Sequence, residues 1–394
     1  MKVLIAGGGI AGLTLAHGLL GAGVECEVFE RAPRDAPPAG YRLTLDADGG
    51  GALERCLPPE LYQRYVDASL RTPGRPNLAV VIDSQGRELS SMPHIGPPNE
   101  TEPMHTAIDR HTLRRILVSG LDEVIRYDAP VEGFTADADG VVVRLACGRE
   151  FAGDVLVGAD GVGSPVRRQL LPDVAIIPAP VGALGMFGRS PLTDEILAEL
   201  PEILFSHFVI ARDDRGVMLS LGQCVPRRDG PEVASAYMML SGGVTPDTVI
   251  PEPAAWTDTT QRDLHAAMRA GVAEWHPAIR GLVERIDPAT LFVHPFRRLD
   301  PAPPWETSRV TLAGDAICAM LPTLGKGANM AMRNAAVLQD ALLAADRGEL
   351  ALLEAIAAFE DDMRAATYPL MELASDHGNF GGGGLRRPED EVPV

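Results

Sequence analysis

Three glycine-containing segments, which occur in a fixed order, constrain the fold of this chain more than any other feature. Residues 7–12 read GGGIAG and follow a short apolar run. Residues 154–161 read DVLVGADG, and the third segment combines GDA at residues 314–316 with PTLGKGAN at residues 322–329. Each segment places glycine where a predicted buried strand ends. Together they predict an α/β fold whose strand ends form a ligand-binding edge.

The first segment has the spacing of a dinucleotide-binding turn. It lies between a predicted strand and a predicted helix, and a second predicted strand at residues 24–30 completes a βαβ unit. Gly7 permits the tight turn, Gly9 lets the backbone approach a pyrophosphate, and Gly12 lets the helix pack closely on the strand.

The helix after this turn and the end of the second strand complete the predicted site. Ile10 and Ala11 begin the helix, whose free N–H groups are suited to phosphates. Glu30 closes the second strand, where a carboxylate can bind ribose hydroxyls. The motif alone does not separate FAD from NAD, and Glu30 argues only against a 2′-phosphate here.

The second and third segments carry two aspartates at predicted strand ends. Asp160 and Gly161 follow an apolar strand, although an aspartate at this position is equally compatible with a simple turn. In the third segment, Asp315 can accept hydrogen bonds from a polyol, and Pro322 offers an apolar face to a flat ring. The remaining candidates supply turns and backbone N–H groups at another helix start that can stabilise negative charge: Gly314, Gly325, Gly327, Ala328 and Asn329.

The composition disfavours some classes of binding partner and indicates the cellular compartment. The net charge is −19, from 35 basic and 54 acidic residues, which disfavours nucleic-acid and anionic-membrane partners. The five cysteines are scattered and form no CxxC pair, which predicts free thiols in a reducing cytoplasm and no zinc site. Residues 3–24 lack Asp, Glu, Lys and Arg, but their glycines favour the strand, turn and helix over a membrane span.

These motifs resemble those of the class A flavoprotein aromatic hydroxylases, the family of para-hydroxybenzoate hydroxylase. Residues 154–167 resemble the family's DG motif, and residues 314–329 resemble its GD motif. The resemblance implies that Arg110 contacts the ribityl-diphosphate part of FAD, with Arg42 near the flavin ring and Arg31 along the adenosine. The spacing after residue 325 leans toward the tetracycline-inactivating and polyketide-tailoring branches.

The resemblance implies a Rossmann-like FAD-binding domain of three layers (ββα), an inserted antiparallel-sheet substrate domain and C-terminal helices. The sheet is expected to include strands near residues 183–189, 204–212, 216–223 and 235–240. The predicted boundaries are residues 1–75, 100–175 and 290–345 for the FAD-binding domain, 76–99 and 176–289 for the substrate domain, 346–380 for the C-terminal helices and 381–394 for a disordered tail.

Around and after the third segment, the chain departs from the family pattern at three positions. The family usually has Gly-Asp-Ala-Ala-His, whereas Ile317 and Cys318 follow Ala316 here. The family commonly has Asp where Asn334 stands. Because Asp315 and the glycines are kept, we expect FAD to bind, and we expect Cys318 to be a packed thiol.

The resemblance also implies the reaction. NAD(P)H reduces the flavin, and a C4a-hydroperoxide formed with O2 hydroxylates an aromatic or polycyclic substrate in a dry pocket. No catalytic acid or base and no metal ligand is assigned. Candidate pocket residues, for each of which core packing is the alternative, are Phe187, Phe205, His207, Met218 and Phe296.

Other functions stay open from the sequence. The same fold supports Baeyer–Villiger insertion or oxidase chemistry, and the altered third segment also fits a redox-inert, flavin-bound assembly partner. A flavin-dependent halogenase is disfavoured because no Trp-x-Trp-x-Ile-Pro segment occurs. The chain is expected to be a monomer or a homodimer.

Overall fold

The computed structural model describes most of the chain: residues 1–36, 42–70, 78–93, 107–178, 184–206, 208–228, 230, 233–244, 248 and 258–376. His207 and the predicted tail lie outside these described residues. Among the helices that are described, none combines the length and apolar composition needed to cross a membrane.

The described strands, in chain order, are β1 (Lys2–Ala6), β2 (Glu25–Phe29), β3 (Arg42–Thr44), β4 (Leu78–Asp83), β5 (Glu88–Pro93), β6 (Ala107–Asp109), β7 (Ile125–Arg126), β8 (Val131–Ala136), β9 (Val141–Leu145), β10 (Glu150–Gly153), β11 (Val155–Gly158), β12 (Ile176–Pro178), β13 (Leu184–Pro191), β14 (Phe208–Arg212), β15 (Met218–Cys224), β16 (Tyr237–Gly242), β17 (Phe292–Pro295), β18 (Arg297–Leu299) and β19 (Val310–Leu312).

The described α-helices are α1 (Ile10–Gly21), α2 (Ala47–Cys56), α3 (Pro59–Ala68), α4 (Arg110–Val118), α5 (Pro165–Leu170), α6 (Asp194–Glu199), α7 (Asp258–Gly271), α8 (Pro277–Glu284), α9 (Asp315–Cys318), α10 (Gly327–Asp346) and α11 (Leu352–Asp376). Short 3-10 helices span Glu202–Phe205, Pro288–Thr290 and Pro322–Leu324.

A five-stranded parallel sheet in the order β19-β11-β1-β2-β7 organises the larger lobe. Its central strands β1 and β11 are almost entirely buried, as expected for a parallel sheet covered on both faces. Helix α1 and the long helix α10 pack on each other, and the antiparallel sheet β10-β9-β8 forms a further layer. The Phe29 and Phe151 rings, 4.9 Å apart, join the two sheets. The predicted three-layer α/β fold is therefore confirmed.

A seven-stranded sheet in the order β17-β13-β16-β15-β14-β4-β5 forms the smaller lobe. One face buries an apolar core against α7 and α8, with Leu219, Leu221, Met268 and Ile279 among its members. The other face turns toward the larger lobe, where Leu321 and Ala107 pack against it. The prediction of an antiparallel sheet holds for every neighbouring pair in this sheet except β14 and β4, which are parallel.

Two local details differ from the sequence-based expectation. The strand predicted from residue 204 begins at Phe208, because Glu202–Phe205 form a 3-10 helix for which Pro201 is the N-cap. The second detail is that β17 extends the seven-stranded sheet beyond residue 289, while β12 pairs with β18. The boundaries between the domains stay a prediction.

Helix α11 is anchored to the parallel sheet by Glu360, which is 0% exposed. Its carboxylate accepts hydrogen bonds from Trp305 Nε1 at 3.1 Å, Thr307 Oγ1 at 2.7 Å and Thr311 Oγ1 at 2.9 Å. Burial nevertheless raises the pKa of Glu360, against the effect of these donors.

We expect Glu360→Gln to alter how stability depends on pH. A carboxyl with a raised folded-state pKa stabilises the fold below its unfolded pKa, and this contribution is lost as pH rises through the folded value. The free energy of unfolding of Glu360→Gln, relative to wild type, should therefore increase with pH above about 4.5, the ordinary pKa of the group. Urea unfolding from pH 4.5 to 7 measures this, and a pH-independent difference would contradict it.

Candidate functional site

The three glycine segments meet at one edge of the parallel sheet. The Gly7 N–H donates to Phe29 O at 2.9 Å, and the Ala159 N–H donates to Ala6 O at 2.7 Å. The Ala313 N–H donates to Gly158 O at 2.9 Å. Because all these strands are parallel, their carboxyl ends lie side by side and bring the loops together.

Close backbone approach explains why glycine occupies these turns. Gly7 has φ +106°, and a Cβ on it would lie 2.3 Å from Ala159 O. A Cβ on Gly12 would lie 2.1 Å from Gly7 O, and one on Gly314, with φ +58°, would lie 2.9 Å from Ala11 Cβ. The first segment thus approaches the second backbone to backbone and the third through the Ala11 methyl group.

The start of helix α1 leaves donors available for an anion. Gly9 is the N-cap and provides no side-chain cap. The first intrahelical bond is from Leu13 N–H to Gly9 O at 3.0 Å. The N–H groups of Ile10, Ala11 and Gly12 therefore have no intrahelical acceptor. A Cβ on Gly9 would meet protein only at 3.9 Å, so space is left beside these donors.

Glu30 lies beside this turn. Its Oε2 accepts from Gly8 N–H at 2.9 Å and its Oε1 from Ala32 N–H at 2.8 Å, which fixes the carboxylate at the end of β2. Arg114 NH2 lies 3.9 Å from Oε2. Arg31 is exposed at the same edge.

Asp160 connects the second segment with the third through a buried arginine. Neither Asp160 carboxylate oxygen has a hydrogen bond of ordinary geometry. Burial raises the pKa of Asp160, whereas the nearby Ser164 hydroxyl and the Arg167 cation oppose the rise. Arg167 is 1% exposed, and its NH1 donates to Ala316 O at 2.9 Å. Gly161, with φ +82°, has open space where a side chain would stand.

Asp315 begins α9 in the third segment. Its side chain is accessible to solvent, yet the dense protein around it raises the pKa of its carboxyl. The nearby Arg110 cation, at the start of α4, opposes the rise in pKa. A carboxylate and a guanidinium therefore lie near each other beside the third segment.

Beyond Asp315, an exposed proline and a second helix start continue the site. Pro322 is exposed at the start of its 3-10 helix, and Gly325 ends that helix with φ +64°. Helix α10 follows from Gly327 without a side-chain cap. Because the first intrahelical bond is from Met330 N–H to Lys326 O at 2.9 Å, the N–H groups of Gly327 and Ala328 have no intrahelical acceptor.

The Asn329 side chain links α10 to the loop after β3. Its Nδ2 donates to Thr44 O at 2.9 Å and Gly325 O at 3.0 Å, and its Oδ1 accepts from Asp46 N–H at 2.9 Å. Lys326 Nζ forms an ion pair with Asp46. The amide is thus fully engaged, and only the Asn329 backbone faces the helix start.

Arg42 lies between the lobes. It is 8% exposed, and its Nε donates to Gln223 O in β15 at 3.1 Å, while NH1 donates to Thr44 Oγ1 at 3.1 Å. Burial lowers the pKa of its guanidinium.

Two of the three departures from the family pattern, Cys318 and Asn334, face α11. The Cys318 thiol donates to Met363 Sδ at 3.2 Å, and burial raises its pKa. The Asn334 Nδ2 donates to Thr367 Oγ1 at 3.0 Å. The two replacements therefore contribute to the packing of α11.

The inner cluster, as we call it, covers part of the sheet face that looks toward the larger lobe. Its buried members are Leu70, Ala107, Phe187, Cys224, Tyr237, Met239, Phe296 and Leu321. The Phe187 ring stacks on Phe292 at 5.4 Å and meets Phe296 edge-on at 6.4 Å. Leu321 precedes Pro322, so the cluster adjoins the third segment. Phe205 and Met218 are half-buried and lie outside this cluster.

Sequence reasoning missed a polar network beside this cluster. Asp109 caps α4 by accepting from Thr112 N–H at 2.8 Å, and it also accepts from the Tyr237 hydroxyl at 2.8 Å. Arg189 NH2 lies 3.2 Å from Asp109 Oδ2, and its guanidinium lies 4.6 Å from the Tyr237 ring centre. The capping pattern of Asp109 and Thr112 was visible in the sequence, but its partners on β13 and β16 were not.

The residues present fit an extended dinucleotide. Gly7 offers no room for a side chain, and two uncapped helix starts supply donors for negative groups. Asp315 and Arg110 lie near each other, and Pro322 exposes an apolar face beside the inner cluster.

Comparison with known proteins identifies the family. The family described as FAD binding domain matches residues 99–366. The chain is 30% identical over 394 residues to the dual O-methyltransferase/FAD-dependent monooxygenase CTB3 of Cercospora beticola, covering 92% of this chain and 44% of that protein. The chain thus spans less than half the length of the first curated relatives it matches.

Two further similarities cover nearly the whole of both chains. The 3-amino-4-hydroxybenzoate 2-monooxygenase PtnB3 of Streptomyces platensis is 30% identical over 347 residues, 88% of this chain and 80% of that protein. A crystal structure from Photorhabdus luminescens, described as an FAD-containing monooxygenase, superposes with a TM-score of 0.80 at 27% identity over 97% of this chain and 98% of that one. Fold, motifs and sequence agree, and the chain belongs to the FAD binding domain family of FAD-dependent monooxygenases.

Proposed function

We propose that this chain uses FAD, NAD(P)H and O2 to hydroxylate an aromatic or polycyclic substrate. One observation carries the proposal: the three glycine segments meet at one sheet edge, and the third adjoins the inner cluster through Leu321. The name of the Streptomyces relative, which specifies an aminohydroxybenzoate, supports an aromatic substrate.

FAD, when bound, supplies the redox chemistry by accepting a hydride and activating O2. The chain's own residues bind and orient it. The N–H groups at the start of α1 are suited to the diphosphate, and Glu30 to the ribose hydroxyls. Asp315 and Arg110 are suited to the ribityl-diphosphate region. Arg31, Arg42, Asp160 and Gly161 are further candidates from the family resemblance.

The second helix start and the smaller lobe are suited to the flavin ring and the substrate. With FAD bound, the N–H groups of Gly327 and Ala328 would stabilise negative charge on the ring, and Pro322 would offer an apolar surface to it. Phe187 and Phe296 keep water from the reacting atoms, because both are at most 9% exposed and pack together.

We also propose a cytoplasmic location and a monomeric or homodimeric state. The location is supported by five free cysteines, four of which are buried. The departures at Cys318 and Asn334, which prompted the hypothesis of a redox-inert partner, contact α11, and steady NAD(P)H turnover would exclude that hypothesis.

Reconstitution with FAD tests the function. We expect a yellow protein whose NAD(P)H oxidation accelerates with a substrate from an aromatic panel, and one labelled oxygen atom from O2 in the product. The same protein without substrate is the control. Product structure separates hydroxylation from Baeyer–Villiger insertion, and peroxide without labelled product indicates an oxidase. Failure to retain FAD after reconstitution would contradict the proposal.

A further inference from the structure

Two serines occupy the middle of the sheet face that looks toward the larger lobe. Ser220 on β15 and Ser241 on β16 are directly paired across the strands. Side chains on a strand alternate between faces, so Ser220 shares its face with Gly222 and Cys224, and Ser241 shares its face with Met239. Cys224 and Met239 belong to the inner cluster, which fixes the direction of the two hydroxyls.

Apart from Ser90, which is exposed on β5 at the far end, the row in which these serines stand is apolar. Ser241 pairs with Phe187 on β13, and Ser220 pairs with Ile210 on β14. Ile210 in turn pairs with Val81 on β4. Two hydroxyls are thus embedded between an aromatic ring and aliphatic side chains, next to the cluster that adjoins the third glycine segment.

Neither hydroxyl has a hydrogen-bond partner among the described residues. Ser220 is 9% exposed and Ser241 is half-buried, so both stand in a largely enclosed place. Neither oxygen is fully enclosed by protein, in contrast to that of Ser190 on the opposite face, so a ligand can reach both hydroxyls and supply the missing partner.

We propose, on the basis of the function proposed above, that Ser220 and Ser241 together bind one neutral oxygen of the substrate. The oxygen belongs to a carbonyl or a phenol on an otherwise apolar ring. Directly paired residues have Cβ atoms about 5 Å apart, so both hydroxyls reach a single oxygen. A carboxylate is disfavoured because the row carries no cation among the described residues, and both neighbouring guanidiniums are engaged. Arg189 is held by Asp109, and Arg42, which lies over Gly222, donates to Gln223 O and Thr44 Oγ1. The hydrogen bonds from Ser220 and Ser241 to this oxygen fix which edge of the substrate ring faces the larger lobe.

Calorimetric titration of the FAD-loaded protein with 1-naphthol, naphthalene and 1-naphthoate tests the proposal. Wild type should bind 1-naphthol at least about tenfold more tightly than naphthalene, as expected for two hydrogen bonds, and should bind 1-naphthoate more weakly than 1-naphthol. The double variant Ser220→Ala/Ser241→Ala should bind 1-naphthol and naphthalene equally. Its affinity for naphthalene should be unchanged, which also reports an intact fold.

Ser190→Ala is the matched control. Ser190 is a 0% exposed serine of the same sheet whose hydroxyl also has no partner, but it alternates to the opposite face from Phe187. This variant should keep the preference for 1-naphthol. Wild type that binds neither probe or both equally, a double variant that keeps the preference, or tighter binding of 1-naphthoate would each overturn the proposal. The titration needs no turnover, so loss of monooxygenase activity is a separate result that bears only on the proposed function.

Discussion

Gly7→Ala is expected to lose FAD. The new Cβ would lie 2.3 Å from Ala159 O, 2.6 Å from Ala159 C and 2.7 Å from Asp160 Cα. All three are backbone atoms of the second segment, so no side chain can move aside. The φ of +106° adds strain for any residue with a Cβ. We expect FAD affinity to fall by about 100-fold or more, or about 3 kcal/mol.

Fluorescence titration of the apoprotein with FAD measures this effect, and circular dichroism of the apoprotein shows whether the fold persists. Gly21→Ala is the matched control, because Gly21 ends the same helix and nothing lies within 4 Å of its added Cβ. It should keep FAD and be as stable as wild type or slightly more so. Unchanged FAD affinity of Gly7→Ala would show that the first and second segments do not approach each other as described.

Arg167→Met is expected to cause the second large effect, on stability. The variant loses the charged hydrogen bond to Ala316 O and leaves the Asp160 carboxylate without its nearby cation. We expect the free energy of unfolding to fall by about 2–3 kcal/mol at pH 7. The neighbouring Arg168 is exposed, so Arg168→Met should change stability by no more than about 0.5 kcal/mol.

The pH dependence of this loss separates electrostatics from packing. Burial already raises the pKa of Asp160, and removing the Arg167 cation should raise it further. A raised carboxyl pKa lowers stability as pH increases, so the deficit of Arg167→Met should be larger at pH 7 than at pH 5. Urea unfolding at both values checks this. Adding Asp160→Asn should remove the pH dependence, and a deficit of equal size at both pH values would assign the whole effect to packing.

Local sequence patterns predicted the elements that build the cofactor edge. The apolar runs before Gly7, Gly158 and Gly314 became parallel strands, because such runs are stable where both sheet faces are covered. The role of Gly7 could be predicted because a glycine at this spacing marks a turn that needs a positive φ and brings two backbone segments close together. These features depend on neighbours in sequence and are therefore visible without a structure.

The contacts that join distant segments were not predictable in the same way. Arg167 stands in the second segment, but its acceptor, Ala316 O, lies in the third. Asp109 caps α4, and its partners Tyr237 and Arg189 stand on β16 and β13, far away in the sequence. The parallel pairing of β4 with β14 likewise depends on the tertiary arrangement and leaves no periodic trace in either strand.

The strand orders of the two main sheets have a consequence for synthesis of the protein. Strand β1 pairs with β2 and β11 on its two sides. Strand β11 pairs with the later strand β19, and β4 pairs with the later strand β14. Neither sheet can close until late parts of the chain have emerged from the ribosome, so apolar edges stay uncovered during elongation. Such long-range pairing is slow and prone to aggregation. C-terminal truncations that remove β19 should therefore accumulate as inclusion bodies, and co-expressed chaperones should raise the yield of the intact chain.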